Sequence, residues 1–304
     1  MNIIARMAQD FKIDHSYLSK IVYRSAFYYK DYYINKRDGK TRRISQASPQ
    51  LKAMQYWIVE NILAKIPVSK GAYAYKKGDS IKRHADIHRL SKHIFHTDIK
   101  DFFFNIHFEM LRCALSNHSH IFDEIGIDSS EAFSDIKKIC FRNDELCIGT
   151  VSSPIISNIV MYNFDEKMID YCNRNGWIYS RYADDIYISS NYYIPKEVKN
   201  FVSAELSDNG FKINTKKTSF ISNKYCRKVT GVVLSNDGRV SVGTKQRNAI
   251  RKMVYDKIIH KKGSPETILG YLAFLKDIEP QTYNNIIIKY SKYCAGDVID
   301  EISK

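Results

Sequence analysis

Asp184 and Asp185 stand side by side in WIYSRYADDIYIS (177–189), where two strand-like runs, 177–183 and 186–189, meet. Adjacent carboxylates in so apolar a setting repel each other and resist burial unless something positive stands between them. Other residues capable of chemistry fall before and after the pair. Asp98 closes the strand-like run HIFHTDI (93–99) and is followed by aromatics at Phe102 and Phe103. Gly149 opens a Gly-then-helix element, GTVSSP, and Lys217 lies in GFKINTKKT (210–218). Singly these are weak signals, since a strand-end carboxylate often only caps and a phenylalanine run is usually core. His84, His88, His93 and His96 also fall close together, but no Cys or acidic residue stands beside them at a metal-site spacing, so zinc is not expected.

The elements that must position these residues can be read from periodicity and punctuation. Residues 3–22 read as helical, and the basic stretch KRDGKTRRIS (36–45) reads as a hairpin turning at Asp38-Gly39. A helix is expected over about 49–65, with Leu51, Met54, Ile58 and Ile62 near a 3.6-residue period. Another begins at Asp79 or Ser80, a good N-cap, and two more cover 108–118 and 129–141. SSPIISNIVMYNFDEKMIDYCNR (152–174) reads as one long amphipathic helix, with serine as cap and Pro154 in the first turn. After the Asp184-Asp185 hairpin comes a helix near 195–208, ending at Asn209-Gly210. A second hairpin over 228–243 turns near Asp237-Gly238. From Thr244 the pattern is helical and basic, broken around 263–265 and at Pro280. Helices, a central region with a few antiparallel strands, then a helical C-terminal module make an α+β order.

Composition bounds the partners. The 304 residues are 44% hydrophobic and 13% aromatic, enough for a well-packed core. Lys and Arg number 47 against 33 Asp and Glu, a formal +14. Such a surplus favours polyanions through counterion release, which makes nucleic acid the first partner to expect. No apolar run approaches the roughly 20 residues of a spanning helix, so no membrane partner is expected. Six scattered cysteines without a CxxC pair suit free thiols in a reducing cytoplasm.

In chain order the motifs resemble the palm of reverse transcriptases. RYADD matches the family's Y-x-D-D signature, TDIKDFF the motif with the first metal-binding aspartate, GTVSSPIISNI the G-x-x-x-SP segment, and GFKINTKKT a further family stretch. The resemblance covers roughly residues 20–243 and implies a right-hand architecture of fingers, palm with a small antiparallel sheet, and helical thumb. Residues 1–243 would then be fingers and palm with an N-terminal helical extension, and residues 244–304 a basic thumb. Nucleotide addition displaces pyrophosphate in line, so catalysis is chiefly positioning and electrostatics. Two Mg²⁺ ions about 4 Å apart can clamp the attacking and leaving oxygens. The resemblance implies Asp98 and Asp184 as bridging ligands, Asp185 as the third carboxylate and the Ile99 carbonyl as a helper. It also implies Phe103 as a steric gate favouring deoxynucleoside triphosphates, Arg42 or Arg43 on the triphosphate, Gly149 close to the nucleotide and Lys217 on the leaving pyrophosphate. Where relatives commonly read L-P-Q-G this chain has Leu146 to Gly149 as LCIG, and Ile148 cannot make a glutamine's polar contact.

Two further segments are similar to retron reverse transcriptases. HADIH (84–88) resembles their N-A-x-x-H element, with His84 in place of asparagine, and Val229-Thr230-Gly231 matches their VTG signature. That implies a bacterial enzyme copying a structured noncoding RNA into cDNA from an RNA 2′-hydroxyl, leaving a branched product. An effector protein and anti-phage defence are implied with it. His88, Val229, Thr230 and Gly231 would face the RNA, as would Lys245, Arg247 and Arg251 in the thumb. A diversity-generating or abortive-infection reverse transcriptase, or a catalytically silent RNA-binding protein on the same scaffold, are the alternatives.

Overall fold

The computed structural model describes residues 1–304 except 36–38, 40 and 295. The expected turn at Asp38 therefore lies outside the described residues. Two short helices, α1 (Ile3–Phe11) and α2 (His15–Tyr23), open the chain, and a hairpin follows, β1 (Tyr29–Asn35) with β2 (Thr41–Ala47). Next come α3 (Pro49–Asn61), α4 (Ile81–His88), β3 (His93–Asp98), α5 (Phe108–Asn117), α6 (His120–Glu124), α7 (Ser129–Cys140), α8 (Ser152–Val160) and α9 (Tyr162–Arg174). The strands β4 (Ile178–Tyr182) and β5 (Asp185–Ser190) lead to α10 (Val198–Asp208) and β6 (Ser219–Ser222). Three short strands, β7 (Arg227–Val229), β8 (Val232–Leu234) and β9 (Val240–Ser241), precede α11 (Thr244–His260), α12 (Pro265–Ile278), α13 (Pro280–Ser291) and α14 (Val298–Ser303).

Local chemistry explains many of these boundaries. The side chains of Ser48, Ser80 and Ser264 accept hydrogen bonds from the amides of Leu51, Arg83 and Thr267, capping α3, α4 and α12. Pro49, Pro265 and Pro280 fill first-turn positions whose N–H groups would be unpaired in any case. Leu51, Met54, Ile58 and Ile62 are all fully buried, as their spacing predicts. Each such burial contributes roughly 1.5–3 kcal/mol.

The central sheet runs β4-β5-β3-β6, antiparallel throughout. It sits between two hydrophobic cores. One gathers α1–α3, α5–α10 and the faces of β3–β5 around Phe95, Phe122, Phe164 and Ile186. The other joins β7–β9 to α11–α14, and reaches Ala85, Ile94 and Tyr187. No helix among the described residues is long and apolar enough to cross a membrane.

Three expectations are corrected. The 3–22 helix breaks at Lys12, which is left-handed (φ 56°), and Asp14 caps a new helix. The 152–174 helix is two, parted at Met161; the first starts at Ser152 itself, and its N-cap, Val151, makes no side-chain cap bond. Pro154 is then the third helical residue, not a marker that a serine caps. The 228–243 hairpin is two hairpins, because Thr230 and Gly231 form a tight turn of their own between Val229 and Val232. Both turn residues have positive φ, 49° and 83°, the type I′ pattern that matches strand twist. A threonine there is sterically unfavourable, so sequence gave no sign of it.

Candidate active site

The β4–β5 hairpin closes through a two-residue loop, Ala183-Asp184, with Tyr182 paired to Asp185. Ala183 is left-handed (φ 55°), a strained state for a residue with a Cβ. Asp185, first residue of β5, is directly opposite Asp98, the last residue of β3. The Ile99 N–H donates to the Asp184 carbonyl at 2.8 Å and fastens the loop to the end of β3. The chain thus brings residues about ninety positions apart into one cluster. Asp98 is 3% exposed, and its Oδ1 accepts from Asn214 at 3.0 Å. Its Oδ2 accepts from the Lys217 ammonium at 2.5 Å. Burial, then the charges of Asp185 and Asp98, push the Asp184 carboxyl up to about 6. Asp185 accepts from His96 Nε2 at 2.8 Å. The three carboxylates are inequivalent because Asp184 belongs to the loop, not because neighbouring strand residues alternate.

What holds the strained loop is a buried cation that the sequence reading missed. The guanidinium of Arg181 grips Asp165 of α9 twice, at 2.6 and 2.8 Å, and both side chains are fully buried. Its remaining nitrogen, Nη1, donates to the Ala183 carbonyl at 2.9 Å, and Nη2, one of the two that hold Asp165, also donates to Asn158 Oδ1 at 3.2 Å. Tyr179 donates to the same Asp165 carboxylate at 2.6 Å. A fully satisfied buried pair of this kind fixes orientation, and removing one partner costs about 3–5 kcal/mol. The available signal was an arginine inside an otherwise apolar strand.

Among the residues expected near a nucleotide, Gly149 (φ 103°) comes so close to β2 that a Cβ would meet Ile44 Cγ2 at 2.8 Å. The neighbouring Ile148 carbonyl accepts from the Ser45 amide at 2.9 Å. This close approach is to the β1–β2 hairpin. Arg43 is engaged, 3.9 Å from Glu145 and 5.4 Å over the Phe104 ring. Arg42 is exposed on the same strand. Phe103, half-buried, meets the ring of Tyr75 edge-on at 6.5 Å; Tyr75 was not anticipated. Burial, then the charge of Asp184, pushes its phenol above the ordinary tyrosine value.

The HADIH and VTG elements prove to be partners. His84 Nδ1 lies 2.6 Å from Thr230 Oγ1, and the Ser180 hydroxyl lies 2.7 Å from Nε2 of both His84 and His88. His88 Nδ1 lies 2.6 Å from the Ser189 hydroxyl. Burial pushes the His84 imidazole down to about 3; burial and then His84 push His88 well below its ordinary value. His88 and Val229 are fully buried, so the expectation that they contact RNA is corrected: they sit behind the β4–β5 hairpin. Thr230 is half-buried and Gly231 exposed. In α11, Lys245 and Arg251 are exposed, while Arg247 makes a two-nitrogen contact with Glu279 at 3.0 Å.

Comparison with known proteins agrees with this arrangement. Residues 34–234 match the family described as reverse transcriptase (RNA-dependent DNA polymerase). The chain is 29% identical over 296 residues to the retron Ec86 reverse transcriptase of Escherichia coli, covering 96% of this chain and 89% of that one. It is 33% identical over 273 residues to the retron Ec73 reverse transcriptase of the same organism, covering 86% of each. Apo telomerase from Candida tropicalis shares the fold, with a TM-score of 0.52 at 11% identity over 90% of this chain and 61% of that chain. By family match and by its relatives, the chain belongs to the reverse transcriptases, RNA-directed DNA polymerases, and among them to the retron type.

Proposed function

We propose that this polymerase copies a structured noncoding RNA encoded beside it into DNA in the cytoplasm, starting from an RNA 2′-hydroxyl and leaving a branched RNA–DNA product. Anti-phage defence with an effector protein is the role we infer from its retron relatives. The observation that carries the catalytic part is the strand register that sets Asp98 directly opposite Asp185, with the Ile99 N–H fastening the Asp184 loop beside them. Reverse transcriptases use divalent metals, and two Mg²⁺ would activate the primer hydroxyl and neutralise the departing pyrophosphate. The residues fit that ion: the oxygens are hard, and Mg²⁺ needs one or two carboxylates plus substrate phosphates. Among the described residues no group of three or more His, Cys, Asp and Glu side chains is placed to hold a metal ion.

In this reading Asp98 and Asp184 are the principal ligands, with the Ile99 carbonyl and Asp185 beside them. Lys217 neutralises Asp98 and is within reach of the pyrophosphate side. Phe103, backed by Tyr75, crowds the sugar's 2′ position and favours deoxynucleotides. Arg42 takes the triphosphate, while Arg43 and Gly149 hold the fingers hairpin in place. Residues 1–243 supply fingers and palm, and 244–304 the thumb. The test is to purify the protein with its own RNA, add Mg²⁺ and deoxynucleotides, and sequence the nucleic acid that accompanies it. A branched RNA–DNA species is expected. Failure to incorporate deoxynucleotides overturns the catalytic reading, and a heterogeneous unbranched product overturns the priming reading.

A further inference from the structure

Asp185 has a line of support that leads away from the nucleotide and toward the thumb. His96 is two residues before Asp98 on β3, so both side chains lie on the same face of the sheet. It is paired in register with Tyr187 of β5. The imidazole Nε2–H donates to Asp185, and the ring stacks on Tyr187 with centroids 4.5 Å apart at 29°. Tyr187 is 5% exposed, and its phenolic oxygen accepts from the Thr230 N–H at 3.1 Å. Thr230 is the left-handed residue of the turn between β7 and β8, the small sheet that packs with the thumb helices. A strained residue persists only when its surroundings over-determine it. Thr230 is held twice, by Tyr187 through its amide and by His84 through its hydroxyl. Since His84 also reaches Ser180 on β4, the turn is tied to both strands of the catalytic hairpin.

We propose that His96 and Tyr187 are positioning residues that fix the orientation of Asp185 and couple it to the Thr230-Gly231 turn at the base of the thumb. The inference rests on the polymerase reading above. An unsupported Asp185 would be free to rotate away from the two carboxylates that repel it. Misplacing a catalytic group by about 1 Å can lower a rate by ~10²-fold, so small rotations matter. The interactions between Asp185 and the turn are one hydrogen bond, one ring stack and another hydrogen bond. The first two can be cut together at His96, and the last by itself at Tyr187.

The experiment uses the full chain with primer–template and Mg²⁺, following single-nucleotide incorporation, together with hydrogen exchange of the 229–232 segment in metal-free protein. His96→Leu removes the bond to Asp185 and the stack, His96→Gln keeps an amide donor, and Tyr187→Phe removes only the oxygen that accepts from Thr230. His96→Leu is expected to lower kcat roughly 10–100-fold, with KM for the nucleotide and Kd for primer–template changed less than about two-fold. His96→Gln should recover most of that loss. Tyr187→Phe should lower kcat by a smaller factor, and combined with His96→Leu should add nothing, because serial members of one chain are not additive. Exchange at 229–232 should accelerate in Tyr187→Phe and also in His96→Leu. The inference is overturned if His96→Leu matches an active wild type, if the two losses multiply, or if His96→Leu leaves exchange at the turn unchanged. It is also overturned if His96→Gln fails as fully as His96→Leu with the same drop in Tm, which would mean packing alone. A wild type that incorporates nothing overturns the polymerase reading and this inference with it.

Discussion

Asp184 carries an electrostatic conflict that a metal-binding role would explain. Burial and two neighbouring carboxylates oppose its ionisation, so the group destabilises the metal-free fold at neutral pH. Replacing it with asparagine removes the charge and keeps the shape. Asp184→Asn is therefore expected to abolish incorporation, by roughly 10²–10³-fold or more, while raising metal-free stability by on the order of 1–3 kcal/mol. Added Mg²⁺ should raise the Tm of the wild type and not of the variant. A variant that melts far below wild type would show that Asp184 is a structural group. The three carboxylates were legible in sequence because the chemistry fixes their type and the motifs fix their place. Arg181 with Asp165 was not: the two are separated by most of a helix and a turn, and only packing brings them together. Tyr75 was invisible for a similar reason, since its ring partner Phe103 comes from another element.

At the scale of elements, α4 and the β7–β8 turn are fastened to the catalytic hairpin through two buried, neutral histidines. Their pH dependence has a definite sign. Because the folded-state pKa of each is depressed, the native protein holds both neutral, while the unfolded chain takes up protons below about 6.5. Stability is then full above that value and falls as the pH drops through it, by about 1.4 kcal/mol per histidine per pH unit. Asp184, whose pKa is raised, works in the opposite direction below about 6, so the measurement belongs in the Asp184→Asn background. There, ΔG of unfolding between pH 7.5 and 5.5 should fall steeply, and His84→Asn should roughly halve the slope. An unchanged slope would mean that His84 is not held neutral. The helices themselves were largely readable from Ser-Pro starts such as Ser48-Pro49 and Ser264-Pro265. The breaks at Lys12 and Met161 and the Thr230-Gly231 turn were not, because each depends on a backbone state that its residue type disfavours or does not advertise.

For the whole molecule the question is which positive charges of the +14 surplus serve nucleic acid and which serve the fold. A groove of about 1180 Å³ runs between α4, the β7–β9 sheet and the first turns of α11 and α13, lined by Lys82, Arg89, Lys228, Arg239, Lys245 and Arg247 among others. Charge alone would assign all of them to a phosphate backbone. The hydrogen bonds separate them. Arg247 is committed to Glu279, whose carboxylate also accepts from Ser241, the Val242 amide and Thr282, so this pair joins β9, α11 and α13. Burial alone would raise the Glu279 carboxyl, but Arg247 and these other donors outweigh it and hold it down at about 2. Lys245 and Arg251 project from the same helix and are exposed. Each phosphate contact releases condensed counterions, so the logarithm of affinity falls with the logarithm of salt by about 0.7–0.9 per contact. Lys245→Ala and Arg251→Ala are expected to weaken primer–template binding and to lower that slope by about one contact each, with Tm unchanged. Arg247→Ala should instead lower Tm by leaving Glu279 half-buried and short of its main partner, with the salt slope preserved. Equal slopes in all three variants would remove α11 from the nucleic-acid surface. A lowered slope in Arg247→Ala with Tm intact would mean that Arg247 exchanges Glu279 for phosphate when nucleic acid binds.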